Sequence, residues 1–180
     1  MKNIIFFGMS FLFIFSTQAA VLDTIRIDTA IYNKLAKENK ELNGKLVSFS
    51  KNAHSATESQ VKYIEGLRNI PLANAFKLNS ALLDSLKARL GLAKDFQSKL
   101  ASHLSELQIF DDELHPKKKE KKVVAPADKA KADQEMPEFF AKNLKSKEEI
   151  VGLIEYLESR IGDVKPIVEK QKSRLAQGYE

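Results

Sequence analysis

The chain has 180 residues, a formal net charge of +5 and no cysteine. Its length favours a single domain, and its 43% of hydrophobic residues with only 7 Gly and 5 Pro argue against a disordered chain. The lack of cysteine excludes disulfides, thiol nucleophiles, iron–sulfur clusters and cysteine-based zinc sites within these residues.

The N-terminal segment has the organisation of a secretion signal. Lys2 precedes an apolar run that ends at Phe15, and small residues follow as far as Ala20. This order predicts a signal peptide over residues 1–19. An uncleaved anchor is the alternative, but the run is shorter than the roughly 20 residues that a spanning helix needs. We therefore expect residues 20–180 to be exported to the periplasm, the cell surface or the medium, and not to span a membrane.

The first long amphipathic segment predicts a helix over about residues 22–70. Apolar residues such as Leu35 and Leu42 recur three and four positions apart, although Asn39 in the same seam is polar. Pro71 is expected to end the helix, because the residue before a proline disfavours the α conformation.

Two further helices are predicted, over about 71–114 and about 138–177. The second has a broad apolar stripe, which suits a helix packed against two neighbours. In the third, Ser146 with Glu149 resembles a capping box. The three segments together predict an all-α fold, an elongated antiparallel three-helix bundle with coiled-coil-like packing, in a single domain over residues 20–180.

Between the second and third helices, residues 115–137 show no apolar periodicity and contain three prolines. We predict a flexible basic loop there. Five lysines in six positions could contact an anionic partner, although a merely solubilising loop explains them too. Without interleaved aromatic residues for base stacking, nucleic acid is not an expected partner. The candidate contact residues are Lys117, Lys118, Lys119, Lys121 and Lys122.

Candidate catalytic residues are few. His54, His103 and His115 include no pair at the i,i+4 spacing of a helical metal site, so we interpret them as solvated or edge histidines. The acidic run 111–113 does not converge, because consecutive helical side chains point in different directions. No phosphate-binding loop or nucleophile motif is present in the sequence. We therefore expect no enzymatic activity, no cofactor and no metal.

The start of the predicted mature chain resembles a known family. Ala20-Val21-Leu22-Asp23 is followed by Ile25, then Ile27-Asp28, and then by a long polar-rich helix through Leu42. This arrangement resembles the minor pilin subunits of type IV secretion and conjugation systems. The resemblance implies a three-helix bundle that acts at a pilus tip or in host-cell contact.

We therefore expect an exported, non-enzymatic helical interaction protein of the bacterial envelope or surface, either minor-pilin-like or adhesive. Its partners would be proteins of the envelope, of a secretion system or of a host surface. Two alternatives remain open from the sequence. One is a periplasmic holdase chaperone for unfolded envelope proteins, and the other is a secreted effector or toxin.

Overall fold

The computed structural model describes residues 29–115 and 126–179. Within these ranges the chain forms three α-helices and no strand, which confirms the predicted all-α three-helix bundle. The helices are α1 (Thr29–Gly66), α2 (Leu72–Leu114) and α3 (Pro126–Ala176). The 43 residues of α2 span about 65 Å at 1.5 Å per residue, so the bundle is elongated.

Interhelical contacts show that α1 and α2 run antiparallel. Near the start of α1, the ring of Tyr32 lies 6.1 Å from the ring of Phe110 near the end of α2. Near the end of α1, Thr57 accepts a 2.9 Å hydrogen bond from Arg89 in the first half of α2.

The third helix returns parallel to α1. Asn79 near the start of α2 donates a 3.3 Å hydrogen bond to Gln171 near the end of α3, so these two helices are antiparallel. The result is an up-down-up bundle, in which each helix contacts both of the others.

The connection between α1 and α2 is short and lies close to its predicted position. The first helix ends at Gly66, four residues before the predicted end. Asn69 adopts a left-handed backbone conformation with φ of 57°, which asparagine tolerates better than most residues. The carbonyl oxygen of Pro71 then accepts backbone N–H groups from Asn74 and Ala75, each at 3.0 Å, as α2 begins.

The third helix begins at Pro126, twelve residues earlier than predicted. The prediction of a loop over 115–137 is therefore wrong for residues 126–137, which are helical. The five candidate lysines and the predicted signal peptide over 1–19 lie outside the described residues.

Burial explains why this segment is helical despite its prolines. Ala132 and Met136, one turn apart, are at most 1% exposed and pack against the other two helices. Pro126 stands at the first helical position, where a missing N–H costs nothing. Pro137 lies inside the helix, so it removes one backbone hydrogen bond that the packing must offset.

The apolar interior forms two clusters at different heights of the bundle. The larger, here called the main cluster, consists of Leu46, Ala53, Leu82, Leu83, Leu86, Ala93, Leu100, Ile150, Leu153, Ile154, Leu157 and Val164. The smaller, here called the end cluster, consists of Tyr32, Leu35, Leu107, Phe110, Leu114, Ala132 and Met136.

Candidate functional site

A layer of buried polar side chains separates the two apolar clusters. On α1 it lies between Leu35 and Leu46, and on α2 between Leu100 and Leu107. Each of its members is at most 5% exposed. This polar layer consists of Asn39, Asn43, His103, Asn143 and Ser146.

Four members of the polar layer form a hydrogen-bond network between α1 and α3. The Nδ2 of Asn143 donates to the Oδ1 of Asn39 at 2.6 Å, and the Nδ2 of Asn43 donates to the Oδ1 of Asn143 at 3.1 Å. Ser146 donates its hydroxyl to the Oδ1 of Asn43. Sliding α3 by one turn would remove the interhelical partners of the Asn43 Oδ1, the Asn143 Oδ1 and the Ser146 hydroxyl, at about 1–3 kcal/mol each, whereas the two Nδ2 groups keep acceptors in their own helices. The network therefore fixes the register of α3 against α1.

Only part of this network was visible in the sequence. The apolar spacing marks Asn39 as a polar seam position, but the capping-box pattern predicts a helix start at Ser146, which lies in the middle of α3. The signal that could have found the network is spacing. Asn39 and Asn43 are four residues apart, and Asn143 and Ser146 are three apart, so each pair shares one helix face.

The fifth member, His103, lies at the contact between α2 and α1. It is 5% exposed, so the prediction of a solvated or edge histidine is wrong for this residue. Its Nδ1 lies 4.0 Å from a carboxylate oxygen of Glu38, and its buried Nε2 has no hydrogen-bond partner. Burial lowers the pKa of His103 below its usual value, against the opposing effect of Glu38 and Glu106. Near pH 7 the imidazole is therefore neutral.

A groove between α1 and α2 lies over this histidine. Its apolar surface comes from the half-buried Leu42 and Phe96, and the Phe96 ring is 5.1 Å from that of Phe49. We call it the α1–α2 groove. Its lining residues are Glu38, Glu41, Leu42, Lys45, Phe96, Lys99, Ser102, His103 and Glu106.

The α1–α2 groove continues toward the end of the bundle. Glu106 lines both the part over His103 and a second depression, flanked by Ile31 and Ile109. These two isoleucines are 45% and 58% exposed, although both are large and apolar. From Ile31 to Lys45 the groove follows α1 for about 21 Å.

The charges along the groove are balanced within the protein. Lys34 lies 3.6 Å from Glu38 and 3.9 Å from Glu106, and Lys45 lies 3.8 Å from Glu41. These side chains are all more than 40% exposed, so each pair contributes only a few tenths of a kcal/mol to stability. The groove therefore presents an apolar surface to a partner protein. The paired charges along its edges leave no strong excess of one sign.

A second polar cluster joins α1 to α3 further along the bundle. Tyr156 donates its hydroxyl to Glu58, and Arg160 lies 3.1 Å from the same carboxylate. These two contacts lower the pKa of Glu58. The ring of His54 lies 4.3 Å from the Tyr156 ring. Since both partners of Glu58 belong to α3, the cluster links α1 to α3.

The remaining histidine caps the end of α2. The Nδ1 of His115 lies 3.3 Å from Asp111, and its Nε2 lies 3.1 Å from Asp133 of α3. Among the side chains of residues 29–115 and 129–179, no three His, Asp or Glu are grouped so that they could hold a metal ion.

Comparison of the chain with protein-family models, with curated proteins and with solved structures finds no match. Among the described helices, none has a stretch long and apolar enough to cross a lipid bilayer. The contact of the five lysines with an anionic partner stays a prediction.

Proposed function

We propose that this protein is an exported, non-enzymatic helical interaction protein of the bacterial envelope or surface, and that it binds a partner protein in the α1–α2 groove. The observation that carries this proposal is a pair of depressions between α1 and α2 that share Glu106, one lined by Leu42 and Phe96 and the other by Ile31 and Ile109. Large apolar residues grouped on an exposed surface are typical of interaction sites.

The occupant that best fits the groove is an amphipathic helix of the partner. Two helices already flank the groove, and its length of about 21 Å corresponds to about four helical turns. A helix with apolar residues three and four positions apart would cover Leu42, Phe96 and Ile109 together. Because the rim charges are paired internally, the partner helix needs mixed charges on its flanks rather than a run of one sign.

The predicted signal peptide and the resemblance to minor pilins support a partner in the envelope, in a secretion system or on a host surface. A minor-pilin-like or adhesive role accords with a groove that accepts a helix from a neighbouring subunit or receptor. Export is tested separately, by mass spectrometry of the protein from its native host. The expected mature N-terminus is Ala20 or Val21, and an intact Met1 in the exported fraction would contradict cleavage of the predicted signal peptide.

Site-specific photo-crosslinking tests the groove in cells. A photoreactive residue at Ser102, which is exposed inside the groove, should capture a protein that the same residue at Glu155 on α3 does not. The decisive variants are Ile31→Glu and Ile109→Glu, since both side chains are exposed and their replacement should spare the fold. Leu144→Glu is the matched control, because Leu144 is 52% exposed and belongs to α3.

Loss of the Ser102 adduct in both isoleucine variants, with retention in Leu144→Glu, supports the groove as the binding site. Capture that is unaffected by the isoleucine variants contradicts it. Capture of many unfolded envelope proteins at both Ser102 and Glu155 would instead favour a holdase.

A further inference from the structure

We propose that His103 makes the attachment of α1 to α2 sensitive to acid, so that protonation of its imidazole loosens the N-terminal part of α1, residues 29–43, from the bundle. This inference concerns the free protein and does not depend on the existence of a partner. Its basis is the position of the ring at the interface of the two helices.

The geometry leaves no place for the second proton of an imidazolium. A protonated ring carries N–H groups on both nitrogens, but the buried Nε2 of His103 has neither a protein partner nor exposure to water. The Nδ1 lies 4.0 Å from Glu38, which is longer than a hydrogen bond. An unpaired N–H of a charged group in this position is costly.

Nearby charges offset this cost only in part. Glu38 and Glu106 attract a positive ring, but both carboxylates are already shared with Lys34, which repels it. Glu41, Lys45 and Lys99 line the same groove and include both signs of charge. From α3, the polar layer contributes Asn143 and Ser146 at this height, and neither side chain titrates. Burial is the largest cause of the lowered pKa of His103, in agreement with the geometry.

The N-terminal part of α1, residues 29–43, is the part of the bundle best able to respond. It contributes Tyr32 and Leu35 to the end cluster and Asn39 and Asn43 to the polar layer, and only the half-buried Leu42 packs against the main cluster. The rest of α1 places the buried Leu46 and Ala53 in the main cluster. Opening residues 29–43 would therefore remove the Leu42 contact and leave the buried members of the main cluster in place.

The direction in which pH changes the stability of the α1–α2 contact follows from the sign of the His103 pKa shift. The pKa of His103 is lower in the folded protein than the ordinary value of 6.5. The unfolded or opened chain therefore binds the proton more readily. The stabilising effect of the neutral ring is complete above about pH 6.5, and it is lost as the pH falls from there through the lowered pKa.

The test measures the distance between α1 and α2 in the free protein. Because the chain has no cysteine, Lys37→Cys and Ser105→Cys can carry spin labels on exposed positions of the two helices. Between pH 7.5 and 5.0 the interspin distance should lengthen and broaden reversibly. The same labels on His103→Leu, which cannot be protonated at this position, should show one distance throughout.

His103→Gln is the second variant, since it also removes the titration while keeping a polar side chain if Leu impairs folding. His54→Leu is the control, because His54 is exposed and should leave the acid response unchanged. A wild-type distance that does not change with pH overturns the proposal. So does an acid response that persists in the His103 variants.

Discussion

The end cluster and the main cluster are built from the same three helices but held together differently. The main cluster is aliphatic throughout, and Leu86, Leu157 and Leu46 within it are fully buried. The end cluster contains two aromatic rings, and one of them, Tyr32, donates its hydroxyl to Glu135 of α3. The polar layer beside it adds further directed hydrogen bonds.

This difference indicates a division of roles along the bundle. Aliphatic burial is strong but non-directional, so it stabilises the helices without choosing one alignment. Hydrogen bonds between buried side chains contribute less net stability but penalise every misaligned arrangement. The main cluster therefore supplies most of the stability, whereas the polar layer, the Tyr32–Glu135 bond and the contacts of Glu58 with Tyr156 and Arg160 supply the specificity.

The largest expected effect is a cavity in the main cluster. Leu86→Ala or Leu157→Ala should lower the free energy of unfolding by about 2–4 kcal/mol, because both side chains are fully buried. Chemical denaturation followed by circular dichroism measures this change. Leu92→Ala is the control, since Leu92 is 53% exposed and its loss should change stability little. Equal effects in the main-cluster and control variants would show that the division of roles is wrong.

The next effect is expected in the polar layer. Asn143→Ala removes the α3 amide that pairs with both Asn39 and Asn43, so the variant should lose about 1–3 kcal/mol of stability. Replacing Asn39, Asn43 and Asn143 together with leucine should restore or exceed the original stability, because apolar packing replaces the paired amides. The register of α3 against α1 should become less well defined, because leucine contacts are not directional. Distances between spin labels on α1 and α3 would report that loss as a second population. A single distance in the triple variant would contradict the role in register.

The sequence predicted the helices well and the polar layer poorly. Apolar residues three and four positions apart locate α2, and its predicted end at Leu114 is confirmed. The sequence pattern places the start of α3 too late, because Pro137 weighs against helix and residues 126–137 lack apolar periodicity, although their Ala, Lys, Gln and Glu are good helix formers. The helix nevertheless extends back to Pro126, because Ala132 and Met136 contact distant parts of the chain. His103 was missed for a similar reason, since its burial depends on how closely α1 approaches α2.

Within the end cluster, Tyr32→Phe isolates the contribution of one hydrogen bond. The ring stays, but its bond to Glu135 is lost, so stability should fall by about 1 kcal/mol. Burial and this carboxylate both raise the pKa of Tyr32, so the wild type should also lose stability as the pH rises above about 10. Denaturation at pH 7 and pH 10.5 measures both effects. A wild type and a variant with the same pH dependence would contradict this assignment.

The smallest expected effect compares a glycine beside the polar layer with one beside the main cluster. Gly44 and Gly91 lie inside helices, and a Cβ added at either would meet no atom within 4 Å. Alanine at each position should raise stability by about 0.5–1 kcal/mol, because glycine loses more backbone freedom on folding. If the N-terminal part of α1 opens on its own as far as Gly44, Gly44→Ala should additionally slow amide hydrogen exchange in residues 29–43, whereas Gly91→Ala should not. Equal protection of that segment in both variants would show that α1 opens only with the whole bundle.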